Sequence, residues 1–324
     1  MRTRPDMASL IQEPAAAADA PSAPRPKKRD IHGWLILDKP VGETSTHAVA
    51  VVKRAFQAKK AGHAGTLDPL ASGLLPVAMG EATKTVPFVM DGRKAYRFTV
   101  TWGAETATDD AEGEVTHSSA DRPDEAAILA ILPRFTGTIL QVPPKYSAIK
   151  IAGERAYDLA REGEEVTLQP RPVEIDALRL VGHEDGRSTF EAECGKGTYV
   201  RALARDFGRL LGCFGHVTAL RRTRVGPFTE ADATPLAALD QARREGGDVM
   251  GFITPVDRAL SEIPAVHVNR NDANRLMRGQ SCLLRGAGAP IDEAAVAVFS
   301  SGALVAIGEV ARGELHPRRV FHLG

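Results

Sequence analysis

Residues 62 to 77 read GHAGTLDPLASGLLPV, a stretch in which three glycines, two prolines and a single acid fall together. Asp68 precedes Pro69, and a following proline holds a residue in an extended conformation. Gly62, Gly65 and Gly73 allow positive φ or a close backbone approach. Leu67, Leu70, Leu74, Leu75 and Val77 supply apolar flanks. The product is a carboxylate on a stiff loop inside an apolar frame, a setting in which an acid can do chemistry. The commonest job of an Asp before Pro is to close a turn or cap a helix, and spacing alone leaves that reading ahead. The chain has no P-loop, Ser-His-Asp order or zincin spacing; Gly80-Glu81-Ala82-Thr83-Lys84 lacks the phosphate-loop pattern.

A second feature is charge. Lys196 to Arg224 holds seven basic residues and one acid, Asp206, a local net charge of +6 in a chain whose 41 basic and 41 acidic residues cancel. Arg201, Arg205 and Arg209 are four apart, so a helix puts them on one face. Leu203, Phe207, Leu210 and Leu211 form its apolar face, and Gly212 suits its end. An arginine stripe can be a solvated surface. Here it follows the turn Gly195-Lys196-Gly197 and precedes more arginines, which suits a polyanion.

The elements that must position these residues follow from periodicity. Trp34-Leu35-Ile36-Leu37 reads as a strand running into the turn Lys39-Pro40-Val41-Gly42. Ser45 can cap a helix bearing Val49, Val52 and Phe56. Tyr96, Phe98, Val100 and Trp102 alternate with polar residues, so that segment is a half-buried strand. Asp124 to Phe135 reads as helix, and Glu174–Val181 and Ser188–Cys194 as strands. Strands and helices mix without regular βαβ repetition, which favours an α+β fold with a mixed, mostly antiparallel sheet.

The chain has 324 residues, 43% of them hydrophobic and 25% charged, enough for two domains. Residues 1–31 read as a disordered Ala/Pro-rich tail with a basic end. The expected catalytic domain is 32–254, with ordered structure from about Gly33, and a small β-rich module occupies 255–324. No apolar run approaches the roughly 18 residues of a membrane span, and no signal peptide is evident. Three scattered cysteines fit neither a disulfide framework nor a zinc site. A reduced, cytoplasmic protein is expected.

The run GHAGTLDPLASGLLPV, with Asp38-Lys39-Pro40 and Gly42 before it and Gly80-Glu81-Ala82-Thr83-Lys84 after it, closely resembles the TruB family of tRNA pseudouridine synthases. The likeness continues through Lys94-Ala95-Tyr96, Thr106 to Asp110 with Gly113, Pro144-Lys145-Tyr146-Ser147-Ala148 with Lys150 and Gly153, and Gly197-Thr198-Tyr199-Val200-Arg201. The Leu-Ala-Ser-Gly continuation after Pro69 is similar to the bacterial stand-alone enzymes.

The resemblance implies a catalytic domain of pseudouridine synthase type and a PUA-like RNA-binding module at the C-terminus. It implies isomerisation of uridine 55 in the tRNA T loop. The N1–C1′ bond breaks, uracil rotates while held, and C5 bonds to C1′. By the same resemblance Asp68 is catalytic, either attacking C1′ or taking the C2′ proton. Arg201 pairs with it. Tyr96 stacks on the base, although its alternation also suits a core aromatic. Tyr199 is a second pocket tyrosine. His63 fills the space left by the flipped uridine, Lys39 packs near the site in a mainly structural role, and Arg205 and Arg209 contact RNA. No metal or organic cofactor is implied, nor a membrane, guide RNA or obligatory protein partner, and the protein is expected to be a monomer. The alternatives are a noncatalytic RNA-binding module, a nucleosidase that would need a second acid, and a synthase acting on another RNA.

Overall fold

The computed structural model describes residues 28–147, 150–151, 154–155, 168–286 and 288–323. The tail up to residue 27, together with Ala148 and Gly153 of the resemblance, lies outside the described residues, as does the Lys150 side chain.

One large sheet organises the molecule. Its main strands are β1 (Gly33–Lys39), β2 (Ala71–Met79), β3 (Lys94–Trp102), β4 (Gly137–Gln141), β5 (Arg171–Glu184), β6 (Arg187–Cys194), β7 (Gly215–Val225) and β8 (Thr234–Pro235), in the spatial order β8-β1-β2-β7-β3-β6-β5-β4. The β1–β8 and β2–β7 pairs are parallel and the other neighbours antiparallel, as expected for a mixed, mostly antiparallel sheet.

The period of two in β1 explains how the sheet is covered. Leu35 and Leu37 point into one apolar cluster, and Trp34 and Ile36 into another. All four are essentially inaccessible, each burial stabilising the fold by roughly 1.5–3 kcal/mol relative to exposure. A charge on either face of β1 would therefore break a core. The first cluster is closed by helices α1 (Ser45–Ala55) and α2 (Val200–Leu210) through Val52, Leu203 and Phe207. The second is closed by Val256 and Leu260 and by Ala297, Leu304 and Phe321 from the C-terminal module.

That module is a separate five-stranded sheet, ordered Ala265–His267, Glu293–Ser300, Ala303–Ala311, Glu314–Val320, Cys282–Leu283. The segment Gly80–Lys84 fastens it to the large sheet. Lys84 Nζ donates to the Val320 carbonyl at 2.8 Å, and the His322 amide donates to Glu81 Oε2 at 2.8 Å.

The strands expected at Trp34, Tyr96, Glu174 and Ser188 are all present, and Gly212 ends α2 in a left-handed conformation at φ 72°. Four local expectations are corrected. Order begins before Gly33: Arg29 bridges to Ala58, and Ile31 is buried. Thr44, not Ser45, caps α1, accepting from the His47 amide at 3.1 Å. The helix after Asp124 stops at Ile131, because Pro133 converts the rest to a 3-10 turn. Leu210 is exposed rather than apolar-facing.

Candidate active site

Asp68 lies on the short link between the strand Ala61–His63 and β2, and the Lys39–Ser45 segment clamps that link on both sides. Upstream, the Leu67 amide donates to Ser45 Oγ, which donates back to the Leu67 carbonyl, both at 2.9 Å. Downstream, the Pro69 carbonyl accepts from the Gly42 amide at 2.8 Å and from Lys39 Nζ at 3.5 Å. Lys39 is fully buried and also donates to the carbonyls of Pro40 and Glu43, which gives it the structural role expected of it. Burial lowers its pKa from the usual lysine value.

Gly73 lets β2 run against β7. Its φ is 96°, and a Cβ there would come within 2.2 Å of the Arg222 carbonyl oxygen. The apolar frame forms as expected, with Leu67, Leu74, Leu75 and Val77 buried.

An open cleft of about 510 Å³ rises above Asp68, walled by Tyr96, Tyr146, Tyr199, Arg201 and Arg222 among others. The Tyr96 ring packs on the first apolar cluster, as its alternation suggested, and also lines the cleft. Burial pushes its hydroxyl pKa up, and that of Tyr199 likewise. Tyr199 immediately precedes α2 and is gripped through its backbone by Gln141, whose amide takes the Tyr199 N–H at 2.8 Å and donates to its carbonyl at 3.1 Å. Lys94, on the same cleft wall, donates to the Gly92 and Met90 carbonyls, and burial brings its pKa down to about 8.

Arg201 enters from the first turn of α2. Its Nε lies 2.9 Å from Asp68 Oδ2 as an ion pair, Nη1 donates to the Thr108 carbonyl at 2.9 Å and Nη2 to the Tyr146 carbonyl at 2.9 Å, with Asp110 Oδ2 at 3.4 Å from Nη1. The pairing with Asp68 therefore runs through Nε alone. Asp68 keeps 38% of its side chain exposed, while Arg201 keeps 6%. Among the described residues, Asp68 Oδ1 has no hydrogen-bond partner.

The structure corrects the arginine stripe. Arg201, Arg205 and Arg209 do share one face of α2, but that face meets acids of the segment 105–110 in reverse order. Asp110 stands against Arg201, Asp109 meets Arg205 at 3.0 Å, and Glu105 takes Arg209 through both oxygens at 2.6 and 2.7 Å. Arg205 is 6% exposed and spends its remaining donors on Asp206 and the Val142 carbonyl. It lies outside the cleft and has no route to a phosphate. Arg209 is half exposed but tied to Glu105. Elsewhere in the segment, Lys196 pairs with Asp91, Arg221 with Asp38 and Glu230, and Arg224 with Glu262. Most of the local +6 is an internal lattice of ion pairs.

His63 is also off the cleft wall. It ends the short strand paired with β2, with its Nδ1 buried and unpartnered among the described residues. Burial, and then Arg222, lower its pKa.

Sequence reasoning gave no site role to Asp110, Gln141, Ser45 or Arg222. Asp110 is the most informative of these. It is 2% exposed, and its Oδ1 accepts from Thr108 Oγ at 2.5 Å and from the Glu112 amide at 3.0 Å. Asp110 is thus held on both oxygens beside Arg201, whereas Asp68 lines the cleft with more than a third of its side chain exposed. Among the described residues, no cluster of three or more His, Cys, Asp or Glu side chains could hold a metal ion, and no helix is long and apolar enough to cross a membrane.

Comparisons with known proteins agree with this geometry. The model of the TruB family pseudouridylate synthase N-terminal domain matches residues 53–200, and that of the tRNA pseudouridylate synthase B C-terminal domain matches 201–261. The tRNA pseudouridine synthase B of Rhodopseudomonas palustris is 65% identical over 305 residues, covering 93% of this chain and 83% of that protein. Its namesake in Sinorhizobium medicae is 57% identical over 307 residues, 93% and 99% of the two chains. Among solved structures, a chain of a Cbf5-Nop10-Gar1 complex superposes with a TM-score of 0.70 at 27% identity, covering 90% of this chain and 85% of that one.

Proposed function

The chain belongs to the TruB family of pseudouridine synthases, and from that premise we propose that Asp68 is the carboxylate on which its chemistry turns. The protein is a tRNA pseudouridine synthase that isomerises uridine 55 of the T loop. One observation carries the assignment of Asp68: its Oδ2 pairs with Arg201 while its Oδ1 has no hydrogen-bond partner among the described residues, in a cleft walled by aromatic rings.

The target base must leave its stack before C1′ can be reached, and such flipping costs a few kcal/mol. Tyr96 and Tyr199 offer the flipped uracil faces to rest against. With C1′ above Asp68, the N1–C1′ bond breaks, the retained uracil turns, and C5 joins C1′ as the C5 proton departs. Asp68 serves either by adding to C1′ or by removing the C2′ proton; both require a carboxylate beneath the ribose. A hydrolase would need a second working acid, and Asp110 is engaged. The isomerisation is internally balanced, so no redox or group-transfer cofactor enters it. His63 is read as the residue that takes the space the flipped uridine leaves in the stack.

We read the protein as a cytoplasmic monomer acting on free tRNA without a guide RNA. The experiment is mass spectrometry of unmodified T stem-loop RNA after incubation with the purified protein alone. Pseudouridine at position 55 with no free uracil supports the reading. Free uracil, or no product without an added RNA or protein, overturns it.

A further inference from the structure

Arg222 differs from the other cations of its segment. Among the described residues no acid pairs with it, although it is only 2% exposed. Its Nε donates to the Leu74 carbonyl at 2.8 Å, Nη1 to the Thr66 carbonyl at 3.3 Å and Nη2 to the Gly65 carbonyl at 3.1 Å. A buried guanidinium without a carboxylate is costly. The fold nevertheless makes room for it, since Gly73 allows β2 to press against the Arg222 backbone. Such an expense at a cleft wall calls for a functional account.

The register supplies one. Arg222 on β7 is directly opposite Tyr96 on β3, and both side chains line the cleft. Opposed residues of an antiparallel pair have Cβ atoms about 4.5–5.5 Å apart, which brings the Arg222 and Tyr96 side chains within reach of each other at the cleft wall. The same guanidinium holds the two carbonyls that immediately precede Leu67 and Asp68.

We propose that Arg222 is a positioning residue that orients the Tyr96 hydroxyl toward the flipped base, its guanidinium anchored on the Gly65, Thr66 and Leu74 carbonyls. A guanidinium only donates, so toward the phenol it can meet only an oxygen lone pair, which leaves the phenol O–H for the base. Burial raises the Tyr96 pKa and Arg222 works against that rise, so the pair is also coupled electrostatically. The inference rests on Tyr96 being a residue that touches the base.

The test is a double-mutant cycle in single-turnover rate at saturating tRNA, using Arg222→Gln, Tyr96→Phe and their combination, with filter binding and thermal melts for each. Tyr96→Phe is expected to slow the reaction by about a hundredfold or more. Arg222→Gln should slow it by a similar factor on its own but by less than about threefold on top of Tyr96→Phe, with affinity unchanged within about threefold. Losses that multiply in the double variant overturn the proposal, because Arg222 then acts independently of Tyr96. A Tyr96→Phe variant at the parental rate overturns the reading of Tyr96, and this inference with it. Should Arg222→Gln melt far below the parent, Arg222→Lys, which keeps donors for the carbonyls, takes its place in the cycle with the same two outcomes.

Discussion

Arg201 Nε forms an ion pair with Asp68 Oδ2 at 2.9 Å, and the rest of the guanidinium is held by the Thr108 and Tyr146 carbonyls and by Asp110. Three loops distant in sequence therefore meet on one side chain, and the position of Asp68 depends on all of them. Lysine keeps the charge but offers one compact ammonium in place of a planar set of donors. Arg201→Lys is expected to lose at least about a hundredfold in single-turnover rate, the scale of a small misplacement of a reacting group. Filter binding should show tRNA affinity within about threefold of the parent. A defect confined to binding would assign Arg201 to RNA contact instead.

Arg205 and Arg209 should separate by burial. Arg205→Leu leaves Asp109 buried without its partner, which costs about 3–5 kcal/mol. Arg209→Lys alters a half-exposed pair and should stay within about 1 kcal/mol. Denaturant unfolding measures both. Neither substitution should alter the salt dependence of tRNA binding, whereas losing a phosphate ligand lowers that slope by about one. A lowered slope in either variant would restore the polyanion reading of the stripe.

Stability should also carry the mark of Asp109. Burial outweighs the attraction of Arg205 and holds this carboxyl up at about 6, against the usual 3.8 of an aspartate. Between roughly pH 4 and 6 the folded protein therefore keeps a proton that the unfolded chain has released, and Asp109 makes stability fall as pH rises through that window. Asparagine tolerates the left-handed backbone found there, φ 62°. Asp109→Asn should remove a decline of roughly 1–3 kcal/mol across this interval. Urea titrations of parent and variant at several pH values give the difference directly; parallel pH profiles would contradict it.

Local signals in the sequence mark the loop and the strand: Asp68 stands out through its glycines, prolines and leucines, and Tyr96 through the alternation of β3. Those signals alone favour a turn residue and a core aromatic, and the site roles came from the family resemblance. The ion-pair lattice could not be read that way. A charge count over residues 196 to 224 registers the arginines but not Glu105, Asp109 and Asp110, which lie some ninety residues upstream and reach α2 only through the fold. His63 illustrates a second limit, since its five-residue spacing from Asp68 does not say on which side of the loop it falls. Arg222 is one of three closely spaced arginines, and only strand register separates its role from those of Arg221 and Arg224. Thr44 and Ser45 are equally able to cap a helix; the Leu67 backbone claims Ser45.

The central claim is that isomerisation depends on the Asp68 carboxylate. Asp68→Asn preserves volume and can still accept from Arg201, but an amide can neither add to C1′ nor take the C2′ proton. The measurement is the single-turnover rate of the purified variant at saturating tRNA, with mass spectrometry confirming that the asparagine has not deamidated. The expected rate is below about one-thousandth of the parental value, with an unchanged melting transition and tRNA affinity. Pseudouridine formation by intact Asp68→Asn at a rate near that of the parent would contradict the account.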